Sequence, residues 1–387
     1  MPGWELIGEE EKKAVLDIFE ASNGIMFEHG FDALRNGRFR VREFEQAFAK
    51  KLGYRYCQAV TSGTAGLLVA LKAIGIKPGD EVITQSFTFI ATLEAIIECG
   101  ATPVIVDIDE SLTMDTDALK AAITDKTKAI IPVHMLGSSA RMENIMEIAH
   151  EHGLYVIEDA CEILGGSYKS KPIGCLSHAT VYSLDGGKTI TCGEGGMVAT
   201  NDLNIYTFCK EYVDHGHQFY PGLPKGRDKA RFTGFNYRLT EMQAAYASAQ
   251  LEKLDYIVNK NRENMKKLKE KIGLGVRYRY SHDVVGDIDD TLILLLDNKQ
   301  TADRLISVLA EEKMATKILP DAADWHFIPN MPQFLNGHPI YKNDHWMRWK
   351  KSKQIVERCV ALPITVKMTD EVMDKYADAV RKAIHEK

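Results

Sequence analysis

Thr180-Val181-Tyr182-Ser183-Leu184-Asp185-Gly186-Gly187-Lys188-Thr189 reads as a short β-rich run that stops at Ser183 and gives way to a glycine turn carrying a lysine. Upstream, Tyr155-Val156-Ile157-Glu158-Asp159 is apolar until it closes on two carboxylates. Runs of this kind fit strands covered on both faces. Glu81-Val82-Ile83, Pro103–Val106, Lys128–Val133 and Met197–Thr200 repeat the pattern, with helical stretches between them. The alternation predicts an α/β fold, a mainly parallel sheet flanked by helices.

From Leu239 the pattern turns helical, opened by a capping box at Thr240 and Gln243 and running towards Ile272. Its charged half, Asn259 to Lys271, reads as a solvent-exposed connector. The expected division is a large domain over residues 1–255 and a smaller C-terminal domain over residues 256–387.

The 387 residues suffice for both, and 45% hydrophobic with 26% charged residues is the composition of a globular protein. A net charge of -6 argues against nucleic acid or an anionic membrane as the main partner. The run Arg35, Arg38, Arg40, Arg42 reads as a solvated face, with contact to a small anion as the alternative. The 7 cysteines lack CxxC spacing and suit reduced thiols. The start shows no basic segment followed by an apolar one, and no run is long enough to span a membrane, so the expected location is cytoplasmic.

A lysine placed like Lys188, just past a strand end, can form a Schiff base. Thr61-Ser62-Gly63-Thr64-Ala65-Gly66 follows the short strand Ala59-Val60 and leads into an apolar helix. Free N–H groups at such a helix start can cradle phosphate; taken alone, the stretch reads first as an ordinary Ser/Thr cap, and its place at a strand's carboxyl end is what favours the cradle. Asp159 would cap a turn or, beside Lys188, hold a protonated pyridine nitrogen. Phe89 is core or a ring-stacking partner. Together these point to pyridoxal phosphate (PLP). Gly187-Lys188-Thr189 imitates the end of a P-loop, but the glycine that motif needs is Tyr182, and no GxGxxG supports a nicotinamide enzyme. His134, His215 and His217 lack further ligands at a metal-site spacing and read as hydrogen-bonded or substrate-facing.

Ser62–Ala65, Phe87–Thr92, Glu158-Asp159-Ala160-Cys161-Glu162, Ser183 ahead of Lys188, Gly193–Gly196 and Gly234–Leu239 resemble, in order, the DegT/DnrJ/EryC/StrS-type PLP-dependent sugar aminotransferases. The resemblance implies a fold-type I PLP transferase with a smaller C-terminal α+β domain, working as a homodimer with shared active sites. It also implies Lys188 as the Schiff-base lysine and Asp159 on the pyridine nitrogen, both catalytic, with Phe89 stacking on the ring. Gly63, Thr64, Ala65 and Ser183 would lie at the phosphate, completed by Asn236 and Arg238 of the neighbouring subunit. Glu162 stands where many members carry Gln or His near the cofactor's phenolic oxygen, so it must be protonated or bonded differently. Gly186-Gly187 replaces bulkier residues. A subset of the family with histidine at the lysine position removes a hydroxyl; Lys188 argues against that outcome.

Met1–Gly8, Lys188–Gly196, Asp214–His217 and Asp324-Trp325-His326 look most like the branch that aminates C8 of an oxidised 3-deoxy-manno-octulosonate, a lipopolysaccharide sugar, with glutamate as donor. The rivals are a transaminase of a nucleotide-linked 3-keto or 4-keto hexose and, in another class, a non-enzymatic PLP-fold regulator.

Overall fold

The computed structural model describes residues 2–218, 227–337 and 348–385. The apolar runs become strands β1 (Tyr56–Val60), β2 (Glu81–Gln85), β3 (Thr102–Val106), β4 (Thr127–Ile131) and β5 (Tyr155–Asp159). A small hairpin of β6 (Ser167–Tyr168) and β7 (Lys171–Pro172) follows, then β8 (Ala179–Ser183) and β9 (Gly196–Thr200). Apart from the hairpin these form one seven-stranded sheet of order β1-β9-β8-β5-β4-β2-β3. Strands β8, β5, β4, β2 and β3 run parallel, whereas β9 is antiparallel to β8 and to β1. Both β8 and β9 are buried throughout, which is why they read as unbroken apolar runs rather than as alternating ones.

One face of the sheet packs on the helices Arg40–Leu52, Met142–His152 and Glu241–Leu251, through Phe44, Phe48, Ile145 and Leu251. The other packs on Gly63–Ala73, Ala91–Glu98 and Leu203–Tyr212. A third cluster gathers the antiparallel pair β10 (Thr291–Leu295) and β11 (Cys359–Pro363) against the helices Lys299–Glu311 and Asp370–His385. Leu305 and Leu309 are fully buried there, each worth about 1.5–3 kcal/mol of transfer free energy.

The helical stretch after Leu239 is two helices rather than one. The capping box at Thr240 and Gln243 opens Glu241–Leu251, and a second helix, Leu254–Ile272, follows a break at Glu252 and Lys253. The charged half of that second helix is not a bare connector, because Asn261, Asn264, Met265, Leu268 and Ile272 bury one stripe. Leu254, Ile257 and Val258 pack with the main sheet while Met265, Leu268 and Ile272 join the third cluster, so this helix ties the two cores together.

The arginine run is a solvated face only in part: Arg42 is exposed and Arg38 half-exposed. Arg35 and Arg40 are buried. The Arg35 guanidinium donates to the Phe27 carbonyl and faces Glu241 at 3.8 Å, and Arg40 bonds Asp17 and Glu43. Arg35 thus supplies a donor to a carbonyl of the loop that covers it, while Arg40 is held by two carboxylates. All 7 cysteines are free. Among the described residues no helix is long and apolar enough to cross a membrane and no cluster could hold a metal ion. His134 is instead bonded to Glu158, and His217 to Asp228.

Three strand ends and one returning segment frame the site. Asp159 closes β5, Ser183 closes β8, and Ser86–Ile90 leaves β2. Against Ser86–Ile90 the chain returns at Trp325–Ile328: the Thr88 N–H donates to the His326 carbonyl at 2.8 Å and the Ile328 N–H to the Ser86 carbonyl at 3.0 Å.

Candidate active site

A cavity of about 720 Å³ opens at the carboxyl ends of β5 and β8, where ligands of open α/β sheets gather. Lys188 enters it from the turn after β8. That turn is fixed by Asp185, whose carboxylate accepts the Gly187 N–H at 2.8 Å while its carbonyl accepts the Lys188 N–H at 3.0 Å. Lys188 Nζ lies 3.4 Å from Glu162 Oε1, and Glu162 Oε2 accepts the Leu136 N–H at 3.0 Å. Burial pushes the Glu162 carboxyl up, but the Lys188 charge, then His326 and Lys317, and the Leu136 N–H outweigh it and bring it to about 2. For Lys188 burial acts downwards and the carboxylates around it, Glu162 foremost, more than reverse this. Glu162 is therefore an ionised partner of the lysine, which answers how a glutamate is accommodated here.

Asp159 is held by both oxygens. Its Oδ2 accepts from Thr92 Oγ1 at 2.8 Å, Thr92 pairs with Thr88 at 2.7 Å, and Oδ1 accepts the Cys161 N–H at 3.3 Å. Its backbone is clamped to β4's extension, donating to the Pro132 carbonyl and accepting from the His134 N–H, each at 3.0 Å. Beneath it His134 Nδ1 accepts the Ala140 N–H, so the ring proton sits on Nε2, 2.8 Å from Glu158.

The helix Gly63–Ala73 starts beside Ser183. Ser62 caps it, its Oγ accepting the Ala65 N–H at 3.0 Å. The Gly63 and Thr64 N–H groups have no acceptor within a helix at this position. A Cβ on Gly63 would stand 2.9 Å from Cys161 Sγ and 3.0 Å from Ser183 Cβ, so only glycine lets the helix start approach β8 this closely. Phe89 presents a ring that is 42% exposed, 5.2 Å from the His326 ring.

These residues fit PLP. N–H donors at a helix start suit a phosphate, a fixed carboxylate suits a cationic ring nitrogen, an amine suits an aldehyde, and an exposed aromatic face suits a planar ring.

Gly63, Thr64, Phe89, Asp159, Glu162, Ser183 and Lys188 all line this one cavity. Ala65 lies behind it with its N–H taken by Ser62. Asn236 and Arg238 do not line it. Arg238 pairs with the buried Asp214 and lies over the Phe27 ring, and Asn236 Oδ1 accepts the Arg238 N–H at 3.4 Å. Gly186 has open space around it, its nearest neighbour for a Cβ being a carbonyl 4.0 Å away.

Sequence reasoning singled out His326 only within the branch likeness of Asp324-Trp325-His326 and missed the rest of the far wall, Asp290, Thr316, Lys317 and Thr365. Lys317 pairs with Asp290 at 2.7 Å. His326 Nδ1 is 2.9 Å from the Ala322 carbonyl, which only accepts, so Nε2 is left as an acceptor towards the cavity. Burial holds its pKa below the usual histidine value despite the nearby Glu162 carboxylate. Nothing in the local sequence marks this wall, since tertiary folding brings it over Lys188.

Residues 28–381 match the model of the DegT/DnrJ/EryC1/StrS aminotransferase family. Among curated relatives, the GDP-perosamine synthase of Caulobacter vibrioides (strain ATCC 19089 / CIP 103742 / CB 15) is 45% identical over 220 residues. That stretch is 57% of this chain and 58% of the relative, little more than half its length. The GDP-perosamine synthase of Escherichia coli O157:H7 is 35% identical over 79% of this chain and 82% of the relative. Among solved structures, an aminotransferase from Psychrobacter cryohalolentis superposes with a TM-score of 0.85 at 27% identity, over 97% of this chain and 96% of that one.

Proposed function

The chain belongs to the DegT/DnrJ/EryC1/StrS aminotransferase family and is a PLP-dependent sugar aminotransferase; we propose that it carries an amino group from glutamate to C8 of an oxidised 3-deoxy-manno-octulosonate, on the way to a lipopolysaccharide sugar. What supports the transamination is the Lys188–Glu162 pair beside Asp159 and the helix start at Gly63 and Thr64. The C8 reading is supported by two of the stretches that carry the branch likeness. Gly3 donates its N–H to the Lys188 carbonyl at 3.3 Å, and His326 of Asp324-Trp325-His326 lines the cavity. A second reading, a nucleotide-linked 4-keto hexose as acceptor, is supported by the likeness to the two GDP-perosamine synthases.

PLP bound here supplies an aldehyde that takes the donor's nitrogen and a ring that disperses the charge left by α-proton removal. Lys188 Nζ, once displaced by the donor, holds and moves the proton at the donor's α-carbon. Asp159, oriented by Thr92, keeps the ring nitrogen protonated. Gly63, Thr64 and Ser183 hold the phosphate, and Phe89 keeps water from one ring face. Glu162 holds the displaced Lys188 close. Reversal of these steps on a carbonyl acceptor delivers the amine.

The assembly we propose is a cytoplasmic homodimer in which Asn236 and Arg238 of each subunit complete the partner's phosphate site. Residues 1–255 would bind the cofactor and residues 256–387 would form the small domain. The test is spectroscopic. PLP-loaded protein is bleached with glutamate, then offered the C8-oxidised octulosonate or a GDP-linked 4-keto hexose. Return of the visible band with the octulosonate upholds the C8 reading; return with the hexose alone replaces it.

A further inference from the structure

Transamination brings an amino acid and a carbonyl compound to the same nitrogen, and the two differ in where their charge lies. An α-amino acid carries a carboxylate on the carbon that holds the reacting nitrogen. A cation next to Lys188, not already spent on the cofactor, is what such a donor requires. Among the described cavity-lining residues the basic side chains are Lys188, Lys317 and His326. Lys188 is consumed by the cofactor. His326 carries its proton on Nδ1 for the Ala322 carbonyl, so Nε2 only accepts.

Lys317 remains. Its side chain is 11% exposed, and it lines the cavity. Its backbone is pinned to β11, the N–H donating to the Ala361 carbonyl at 2.8 Å. Its ammonium meets Asp290 Oδ2 at 2.7 Å and the Asp290 carbonyl at 3.4 Å, which leaves its third N–H without an acceptor among the described residues. Asp290 shares its other oxygen with Thr291 Oγ1 at 2.8 Å. An ion pair this buried is weak evidence of stabilisation, because desolvation offsets the attraction. Its position points to ligand recognition: Lys317 lines the same cavity as Lys188 and Glu162, on the wall that also carries His326.

We propose that Lys317, oriented by Asp290, binds the α-carboxylate of the amino-acid donor. The acceptor in the C8 reading carries its acid group at the end remote from the reacting carbon, so a cation sharing the Lys188 cavity suits the donor. This inference rests on the transamination reading above.

The test titrates PLP-loaded protein with L-α-methylglutamate, which lacks the α-proton and so binds without turnover, followed by the cofactor's absorbance. 4-Aminobutyrate, the same molecule type without the α-carboxylate, is the control ligand. Lys317→Met should raise the half-saturating α-methylglutamate concentration about tenfold to a hundredfold, as loss of a charge-assisted hydrogen bond entails. It should leave 4-aminobutyrate binding unchanged, and Lys317→Arg should restore most of the loss. Because Lys317→Met strands Asp290, the double variant Asp290→Asn with Lys317→Met repeats the comparison in a neutral wall. Equal α-methylglutamate binding in wild type and the double variant overturns the assignment, as does a loss confined to the sugar acceptor. Wild-type protein that takes up no PLP would overturn the transamination reading itself; uptake and bleaching with no effect of Lys317→Met would overturn this inference alone.

Discussion

Gly63→Ala tests whether the approach of a helix start to β8 makes the phosphate cradle. The added methyl would stand 3.0 Å from Ser183 Cβ and 2.9 Å from Cys161 Sγ. Carbon atoms reach their contact optimum at ~3.5–4.0 Å, so about 0.5–1 Å must be recovered. Cys161 can turn its sulfur away, but Ser183 Cβ is fixed to a strand buried on all five residues. The helix Gly63–Ala73 therefore has to retreat from Ser183. Overpacking of this kind costs about 1–3 kcal/mol. If even half of that falls on the cradle, PLP binding weakens by roughly twofold to tenfold, since 1.4 kcal/mol is a factor of ten. The assay is titration of the apoprotein with PLP by absorbance, with thermal melts of both forms. Gly186→Ala is the matched control, because its methyl meets only a carbonyl at 4.0 Å. Wild-type PLP affinity in Gly63→Ala, or an equal loss in Gly186→Ala, would refute the reasoning.

Thr92→Val removes the hydroxyl that orients Asp159 Oδ2 while keeping its shape; PLP affinity should fall by about 1–2 kcal/mol, read by the same titration. Glu45 gives a pH dependence. Burial, with the Glu28 charge, raises its carboxyl from 4.5 to about 8 although Gln58 and Ala59 donate to it. Its folded-state pKa lies above the unfolded one, so its contribution is complete below pH 4.5 and lost as pH rises to about 8. Thermal melts of Glu45→Gln should gain on wild type across that window by on the order of 1–2 kcal/mol, since the group is only half-buried. For the shared site, mixing inactive Lys188→Ala with Arg238→Gln protein should restore activity, because one site of the mixed dimer has both residues; no recovery means that Arg238 serves its own subunit.

The sheet was readable because its strands are buried on both faces and so appear as unbroken apolar runs, as β8 does from Ala179 to Ser183. Lys188, Asp159 and the Gly63 turn were readable because each sits at the end of such a run. The arginine run misled, since spacing alone cannot tell that a loop will fold over Arg35 and bury it completely. The break at Glu252 and Lys253 was hidden because both residues are good helix formers and even at the break keep right-handed helical backbone angles. Lys317 was invisible, and His326 legible only as part of a likeness and not as a wall of this cavity, for a different reason. They lie far along the chain from Lys188, and what brings His326 to the cavity is the docking of Trp325–Ile328 on Ser86–Ile90, which leaves no local pattern. Glu162 was visible as a departure, but its role depended on seeing Lys188 within 3.4 Å.

The most direct test of the central claim is borohydride reduction of the PLP-loaded protein followed by peptide mass mapping, which fixes the imine to the lysine that formed it. The account predicts a single reduced PLP adduct on Lys188, absent from Lys188→Ala protein that still folds. An adduct on another lysine, or a loaded protein with none, would contradict it.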